Sequence, residues 1–580
     1  MITRCADRFA FCNFQFSFCN PRFSRQSPSL VNSQSSSEEV LLLEQTLEPT
    51  AAPAPQIVPP RPKLWLKILQ VLLGFAVIFT VMAKIEFAGP AILDNDGYYH
   101  IRWSKILRES APHLPPFKSL PLTTLNEQSY VDHHFLFHVL LMPFTFGDLR
   151  IGAKLASAVF SSLALTSLFA LLVAYNVPYR WLWLAPLVAA SEPFLYRMSM
   201  TRAPSLSLAL LGIGAYFVLE RKAVWYGVLS FIFVWLYSLF PLMLVMAAAY
   251  TIAVYLAYRR IDLWALLASF LGIAAGLVIN PYFPKNLTLF KEHLLMKVTG
   301  TYAVDVGVEW YPYETWVILT GSAVAFAIYA VALIAFDFRK RALGVKPLFL
   351  LIVSGVMLLM AFKSRRFVEY WPPFAILFAA FTFSSRRRIA SPGWFARTRD
   401  RVIAAGAASV AALALIVGLS WNVAEAYADV RSEQDPFAYK GASEWLAANT
   451  PPGSMVFNTD WDDFPMLFYY NNQNTYIVGL DPTYLYDRDH DLWKIYASVT
   501  LGQEDNPAPI IRDRFGAQYV FTDNEHSDFL DVAESTGDFE TVYSDRYTRV
   551  LRVRGPDEPR PEKKTEGDDD DDDDDGAGTR

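Results

Sequence analysis

The 580-residue sequence has few charged residues and almost no cysteine. Only 19% of its residues are charged, whereas 53% are hydrophobic. All three cysteines lie at positions 5, 12 and 19, so no disulfide framework holds the later parts of the chain. The net charge of −6 owes its sign to eight consecutive aspartates, Asp568 to Asp575. Elsewhere no basic excess indicates nucleic acid as a partner.

Long apolar runs separated by short charged segments fill the middle of the chain. About 20 apolar residues in a helix cross a bilayer. We count eleven such runs, at 65–87, 151–175, 181–195, 203–219, 223–240, 241–258, 263–279, 316–336, 347–362, 367–383 and 402–421, and a shorter one at 135–146. The pattern predicts a polytopic α-helical membrane protein with about 11–13 transmembrane helices. The shortest runs suit discontinuous or tilted helices around a functional cavity.

Positive charge near the ends of the runs predicts the orientation, because Lys and Arg favour the cytoplasmic side. The basic clusters that mark this side are Arg61 to Lys67, Arg221-Lys222, Arg259-Arg260, Arg339 to Arg341 and Arg386 to Arg401. With eleven crossings, the N-terminus is also cytoplasmic. The loops 88–150 and 281–315, the turn 363–366 and everything after residue 421 then lie outside. We expect an integral protein of the cell inner membrane or an equivalent membrane.

Composition divides the chain into four parts. Residues 1–62 are rich in Ser and Pro and predict a disordered cytoplasmic extension, and a cleaved signal peptide fits poorly. Residues 63–421 form the transmembrane domain, with long outer loops at 88–134 and 281–315. Residues 422–555 predict an extracytoplasmic α/β domain, because a helical stretch at 440–448 alternates with strand-like stretches at 454–457, 475–478, 518–522 and 549–553. Residues 556–580 predict a disordered acidic tail.

The first outer loop carries two groups of residues that could bind a metal. Asp94 and Asp96 directly follow the first span, and paired carboxylates suit a divalent cation with oxygen ligands. Asp132, His133 and His134 come later in the same loop. A solvated turn explains the first group equally well, and capping of the helix that follows explains the second.

The two other outer segments carry an acid and a group of cations. The loop 281–315 contains Glu309, which could also be an acid at the membrane interface. The turn 363–366 reads Lys-Ser-Arg-Arg, and cations on the outer side oppose the usual bias. Arg365 and Arg366 could bind phosphate with their fork of N–H donors, or extend to lipid headgroups. Acids and cations from three distant loops thus meet on one membrane face.

Four short motifs occur in an order that resembles a known family, the GT-C membrane glycosyltransferases. Within it they are similar to the single-chain catalytic subunit of oligosaccharyltransferase and its prokaryotic relatives. The motifs are Asn95-Asp96-Gly97-Tyr98, Val306-Gly307-Val308-Glu309 with Pro312, Arg366-Phe367, and Trp461-Asp462-Asp463-Phe464. The resemblance covers roughly residues 65–555.

The resemblance implies a role for each group of residues. Asp96 and Glu309 would be catalytic, and Arg366 with Arg365 would hold the donor phosphate. Trp461 and Asp462 would bind the acceptor. The resemblance carries the role of metal ligand, for Mn²⁺ or Mg²⁺, to Asp96. Asp94, Asp132 and His133 are the further candidate metal ligands that the residues of the first loop offer by themselves. The implied partners are a polyprenyl-linked sugar donor, a protein or a glycan or lipid acceptor, and membrane lipid.

Two departures from the family pattern leave alternatives open. The second acidic motif, expected at 196–202, reads Arg-Met-Ser-Met-Thr-Arg after Tyr196 and has no acid, unless Asp132 or His133 replaces it. The sequence after Trp461 differs from the motif WWDYG, so asparagine as the acceptor is in doubt. A non-catalytic transporter or export partner for polysaccharide or lipid-linked glycan is one alternative. The spans are nearly free of charge, which favours the enzyme. An enzyme that glycosylates a lipid or glycan is the other alternative.

Overall fold

A computed structural model describes residues 63–291, 304, 306–338, 344–386 and 398–560 of the protein. The predictions for the N-terminal extension, for most of the acidic tail and for the basic residues at 339–341 and 387–397 lie outside the described residues. The boundary predicted at 421/422 falls inside one helix, Thr398–Ser432, which continues beyond the apolar run.

Helices make up most of the described chain. The α-helices and 3-10 turns include Leu64–Glu86, Asp96–Ser110, Phe135–Leu141, Met142–Thr145, Leu149–Ala174, Arg180–Ala189, Glu192–Met198, Pro204–Leu219, Ala223–Leu236, Leu242–Tyr258, Trp264–Val278, Val308–Trp310, Thr315–Gly321, Ala323–Ala335, Val345–Ala361, Arg365–Glu369, Trp371–Arg386, Thr398–Ser432, Lys440–Asn449, Phe464–Tyr470, Thr483–Arg488, His490–Thr500, Pro507–Arg514 and Ser527–Thr536. The order matches the apolar runs, and the predicted helix at 440–448 is present.

The described helices include membrane-spanning ones. Three are long and apolar enough to cross a membrane, namely Leu64–Glu86, Leu149–Ala174 and Ala405–Ser432. Thr315–Gly321 and Ala323–Ala335 meet at a bend of 77° and make a fourth if they form one span. Shorter apolar helices occupy several of the other predicted spans. The chain is an integral membrane protein, while the number of crossings and their orientation stay predictions.

Two broken helical segments meet at Ser191 and Ser322. Pro186 lies inside the helix Arg180–Ala189, which ends three residues later. Ser191 then caps the next helix by accepting a hydrogen bond from the backbone N–H of Phe194 at 3.2 Å. Its Oγ is also 2.8 Å from Oγ of Ser322, the residue at the 77° bend. The contact between the two serine hydroxyls therefore joins the two helix breaks.

A five-stranded mixed sheet forms the centre of the C-terminal part. Its strands are β1 (Met455–Asn458), β2 (Thr475–Tyr476), β3 (Tyr519–Asp523), β4 (Phe539–Ser544) and β5 (Thr548–Val553), in the order β2-β1-β3-β5-β4. β1 is parallel to β2 and β3, whereas β5 is antiparallel to β3 and β4. Four of the strands lie at the predicted positions. The sequence analysis missed β4, an edge strand that is mostly half-exposed or exposed and reads as polar.

Backbone hydrogen bonds attach this sheet to the first outer loop. The N–H of Thr124 donates to the carbonyl oxygen of Tyr484 at 3.0 Å. The N–H of Tyr476 donates to the carbonyl oxygen of Ser119 at 2.8 Å. The side chain of Phe117 is fully buried between the two parts. The C-terminal domain is thereby held over the residues that follow the first membrane helix.

Candidate active site

Asp94 and Asp96 lie on the turn that follows the first membrane helix. Asp94 has a left-handed backbone conformation with φ of 71°, and Asp96 begins the next helix. Gly97 allows this turn to approach the chain at Thr201, since a Cβ on Gly97 would lie 3.3 Å from the Thr201 Cβ. The close approach places both carboxylates beside Arg202.

Arg202 connects the two long outer loops. Its Nε and Nη2 donate to the two oxygens of Asp94 at 2.5 and 2.7 Å, and Nη2 also lies 2.8 Å from Asp96 Oδ2. Its Nη1 donates to Glu309 Oε2 at 2.6 Å. The side chain is 15% exposed. All three guanidinium nitrogens therefore contact carboxylates, in the geometry of strong charge-assisted hydrogen bonds.

Glu309 contacts arginines from two other positions as well. It forms an ion pair with Arg366, and Arg197 Nη2 lies 3.4 Å from its Oε2. Arg197 in turn donates through Nε to Glu369 at 2.6 Å. Glu309 thus lies among three guanidinium groups, including that of Arg202, and keeps these partly buried cations from repelling one another.

The second outer loop is fixed to the arginine turn. The N–H of Arg365 donates to the carbonyl of Tyr311 at 3.0 Å. The Arg366 guanidinium lies over the ring of Trp310, 3.9 Å from its centroid, which adds a cation–π contact to the ion pair with Glu309. The positions of Glu309 and Arg366 are therefore set together.

Burial and the neighbouring guanidinium groups have opposite effects on the pKa values of the acids in the site. Burial raises the pKa of Asp94 and of Asp96, and the Arg202 guanidinium opposes this shift. Burial would lower the pKa of Arg202, but the two aspartates raise it above its ordinary value, so the guanidinium stays charged. Burial, followed by the charges of Asp94 and Asp460, raises the pKa of Asp462 to about 6.

Asp132 belongs to a second network in the wall of the site. Its Oδ2 accepts hydrogen bonds from Trp103 Nε1 at 3.1 Å and from His138 Nδ1 at 2.7 Å. His138 Nε2 lies 2.8 Å from His100 Nδ1. Burial tends to raise the pKa of Asp132, but the contacts with His138 outweigh it and lower the pKa below its usual value. Asp132 is thus an anion engaged with its own neighbours.

Three of the four residues predicted to hold a metal belong to these two networks. Asp94 and Asp96 are bonded to Arg202, whereas Asp132 is bonded in the second network. The ring of His133 packs against the next histidine, with 4.0 Å between centroids. Within the ranges that the structure describes, no group of three or more His, Cys, Asp or Glu side chains is placed to hold a metal ion. The metal stays a prediction, which the arrangement of the donors does not support.

The C-terminal domain contributes the turn that carries Trp461 and Asp462. Asn95 Nδ2 lies 3.2 Å from Asp462 Oδ2 and donates to the same residue's carbonyl at 3.3 Å. A Cβ on Gly307 would lie 3.4 Å from the Trp461 ring, so the indole rests on the second outer loop. This turn therefore contacts both long loops.

A single cavity of about 640 Å³ joins these features. Every residue proposed for the site from the sequence lines it, namely Asp94, Asp96, Asp132, His133, Glu309, Arg365, Arg366, Trp461 and Asp462. Another part of its wall is apolar and includes Leu239, Phe240, Leu277, Leu289 and Phe290. Such a cavity suits a ligand with a charged head and a hydrocarbon tail.

The sequence analysis assigned no role to Arg197, Arg202 or His100, which also line the cavity. It noted only that an acid is missing from the turn that carries the two arginines. The available signal was the presence of two cations on a turn predicted to be outside, where Lys and Arg are less frequent.

No family model and no curated protein matches the sequence. Among solved structures, ArnT from Cupriavidus metallidurans bound to undecaprenyl phosphate is similar, with a TM-score of 0.52 and 14% identity over 85% of this chain and 100% of that chain. The apo structure of that ArnT gives a TM-score of 0.49 and 14% identity over 84% and 99%. The first likeness establishes the fold. The chain is a polytopic membrane protein with the GT-C fold.

Proposed function

We propose that the protein is a membrane glycosyltransferase. It moves a sugar or oligosaccharide from a polyprenyl phosphate or pyrophosphate donor to an acceptor on the extracytoplasmic face. The observation that carries this proposal is the cavity in which Asp96, Glu309 and Arg366, from three distant segments, meet beside an apolar wall. A structure with the same fold, that of ArnT, is bound to undecaprenyl phosphate, which supports a polyprenyl-linked donor.

Arg366 is the group that best fits the donor phosphate. Its buried Nε donates to no acceptor among the residues that the structure describes. A buried guanidinium N–H without an acceptor is costly, and a phosphate oxygen is the acceptor whose geometry matches the fork. Arg365 lines the same cavity, but its Nε already lies 3.4 Å from the carbonyl of Pro312. We therefore assign Arg366 the larger share of donor binding.

Asp96 is better suited than Glu309 to accept the proton of the acceptor. Glu309 contacts three arginines, so both of its carboxylate oxygens are already engaged by guanidinium groups. Burial raises the pKa of Asp96, which makes it a stronger base. Glu309 then orients the acceptor and the arginines. Trp461 and Asp462 bind the acceptor from the side of the C-terminal domain.

The reaction is a substitution at the anomeric carbon of the donor sugar. The acceptor oxygen or nitrogen forms a bond to this carbon while the bond to the phosphate oxygen breaks and leaves its electron pair on the phosphate. The proton of the acceptor moves to Asp96. Arg366 stabilises the charge that develops on the departing phosphate, which is the largest contribution that such sites make.

The proposal is tested by transfer from a radiolabelled membrane lipid fraction in vitro, followed by identification of the labelled product. We expect Asp96→Ala and Glu309→Ala to abolish transfer while each protein still inserts into the membrane. Glu444→Ala is the matched control, since Glu444 is exposed and pairs with Lys440 at 3.7 Å, away from the cavity. Full activity in either site variant would refute the assignment. A labelled protein, glycan or lipid product identifies the acceptor class.

A further inference from the structure

The turn after the helix Glu192–Met198 has the opposite charge to that implied by the resemblance. An acid expected there would complete a metal site with Asp96. The turn instead carries Arg202, which contacts Asp94, Asp96 and Glu309 from two different loops at 2.5 to 2.8 Å. One guanidinium thus occupies the position between the carboxylates in which a bridging cation would bind.

A divalent cation does not fit the carboxylates as they are arranged. Both oxygens of Asp94 accept hydrogen bonds from Arg202, and both oxygens of Glu309 contact arginines. A metal needs these same lone pairs, at about 2.0 to 2.6 Å, and could bind only after Arg202 moved away. The Arg202 side chain is 15% exposed and would then lose the partners that offset its burial.

The formal charge of the ion-paired cluster also argues against a bound divalent cation. The cluster contains four carboxylates, Asp94, Asp96, Glu309 and Glu369, and three guanidinium groups, from Arg197, Arg202 and Arg366. The formal charge is therefore 3 − 4 = −1 before any ligand binds. Within this cluster the guanidinium groups therefore neutralise all but one of the carboxylate charges.

We infer that Arg202 takes the place of the divalent cation, so that this site transfers sugar without a metal. The guanidinium holds Asp94, Asp96 and Glu309 at fixed distances and supplies a permanent positive charge beside the departing phosphate. An arginine can do both because its planar fork contacts several oxygens at once and is charged at all relevant pH values. The catalytic part of this inference rests on the proposed function. The absence of a tightly bound divalent metal is predicted independently of that function.

The test combines a binding measurement with an activity measurement on the full-length protein in lipid nanodiscs. Mn²⁺ binding is followed by the loss of the electron paramagnetic resonance signal of the free ion. We expect no stoichiometric Mn²⁺ on the wild-type protein and a new Mn²⁺ site in Arg202→Gln, in which Asp94 and Asp96 are released while Glu309 keeps its contacts with Arg366 and Arg197. Arg546→Gln, a change at an exposed residue of the C-terminal domain, should bind as little Mn²⁺ as the wild type.

Transfer by the wild type should be unchanged by EDTA and by added Mn²⁺. Arg202→Gln should transfer about 100-fold more slowly or worse, the usual effect of removing one donor that stabilises developing charge. One tightly bound Mn²⁺ per wild-type chain, or transfer that EDTA abolishes and Mn²⁺ restores, would overturn the inference. If the wild type transfers no sugar, the proposed function fails. The measurement of Mn²⁺ binding then still decides whether Arg202 occupies the position of a divalent cation. If Arg202→Gln does not fold, two other measurements decide whether Arg202 replaces the metal. They are Mn²⁺ binding by the wild type and by Arg202→Lys, which keeps the charge and should bind no Mn²⁺.

Discussion

The substitution Arg366→Lys tests the phosphate assignment most sharply, because it keeps the charge and removes only the fork. In the structure the guanidinium pairs with Glu309, lies 3.9 Å from the Trp310 ring centroid and has a buried Nε without an acceptor in the described residues. A hydrogen bond to a charged group contributes about 1.5–3 kcal/mol, whereas a lysine at this position keeps the charge and can keep a cation–π contact with Trp310. The side chain is only 17% exposed, so the loss of one such hydrogen bond to the donor phosphate should cost about 1.5–3 kcal/mol.

This loss corresponds to a rise of about 10- to 150-fold in the donor KM, at about 1.4 kcal/mol for each factor of ten. The assay is steady-state transfer at varied donor concentration, with kcat and KM resolved. Arg365→Lys is the matched control and should raise KM less, because the Arg365 Nε already contacts the Pro312 carbonyl at 3.4 Å. An unchanged donor KM in Arg366→Lys, or a larger effect in Arg365→Lys, would refute the reasoning.

Two further predictions concern helix packing and pH. Gly272→Ala should destabilise the helix bundle by about 1–3 kcal/mol, since its Cβ would lie 2.1 Å from the Gly227 carbonyl oxygen, and thermal unfolding in detergent should show a lower Tm. Gly406→Ala, whose new Cβ would meet no atom of the described residues within 4 Å apart from its own stretch of helix, should not lower it, and equal Tm values would contradict the packing. Asp462 has a pKa of about 6 and is anionic only above it, so the acceptor KM should fall as pH rises through 6. Asp462→Asn should remove this step, and a persistent step would assign it to another group.

The sequence predicted the residues of the site better than their contacts. The order of apolar runs and basic clusters placed Asp96, Glu309 and Arg366 on one face, and the structure brings all three into one cavity. This was possible because topology depends on hydropathy and charge, which are local properties of the sequence. The roles of these residues stay predictions until variants are measured.

The pairing within the site could not be predicted, because it depends on close approach in three dimensions. Arg202 and Asp94 are 108 residues apart in the chain, and nothing local indicates their bidentate contact. Asp132 offers the same lesson. Its position before two histidines resembles a ligand set, but both of its carboxylate oxygens already accept hydrogen bonds, one from Trp103 and His138 and the other from the backbone N–H of His134. Ion pairs and metal ligands use the same residue types, so only geometry separates them.

The most direct test of the account follows the fate of the donor. Purified protein in nanodiscs is given a polyprenyl phosphate carrying a labelled sugar, and the free polyprenyl phosphate and the labelled product are measured together. The account predicts one polyprenyl phosphate released for each sugar transferred, and no release by Asp96→Asn. Movement of the intact donor without release, or equal release by the variant, would contradict it and favour a transporter.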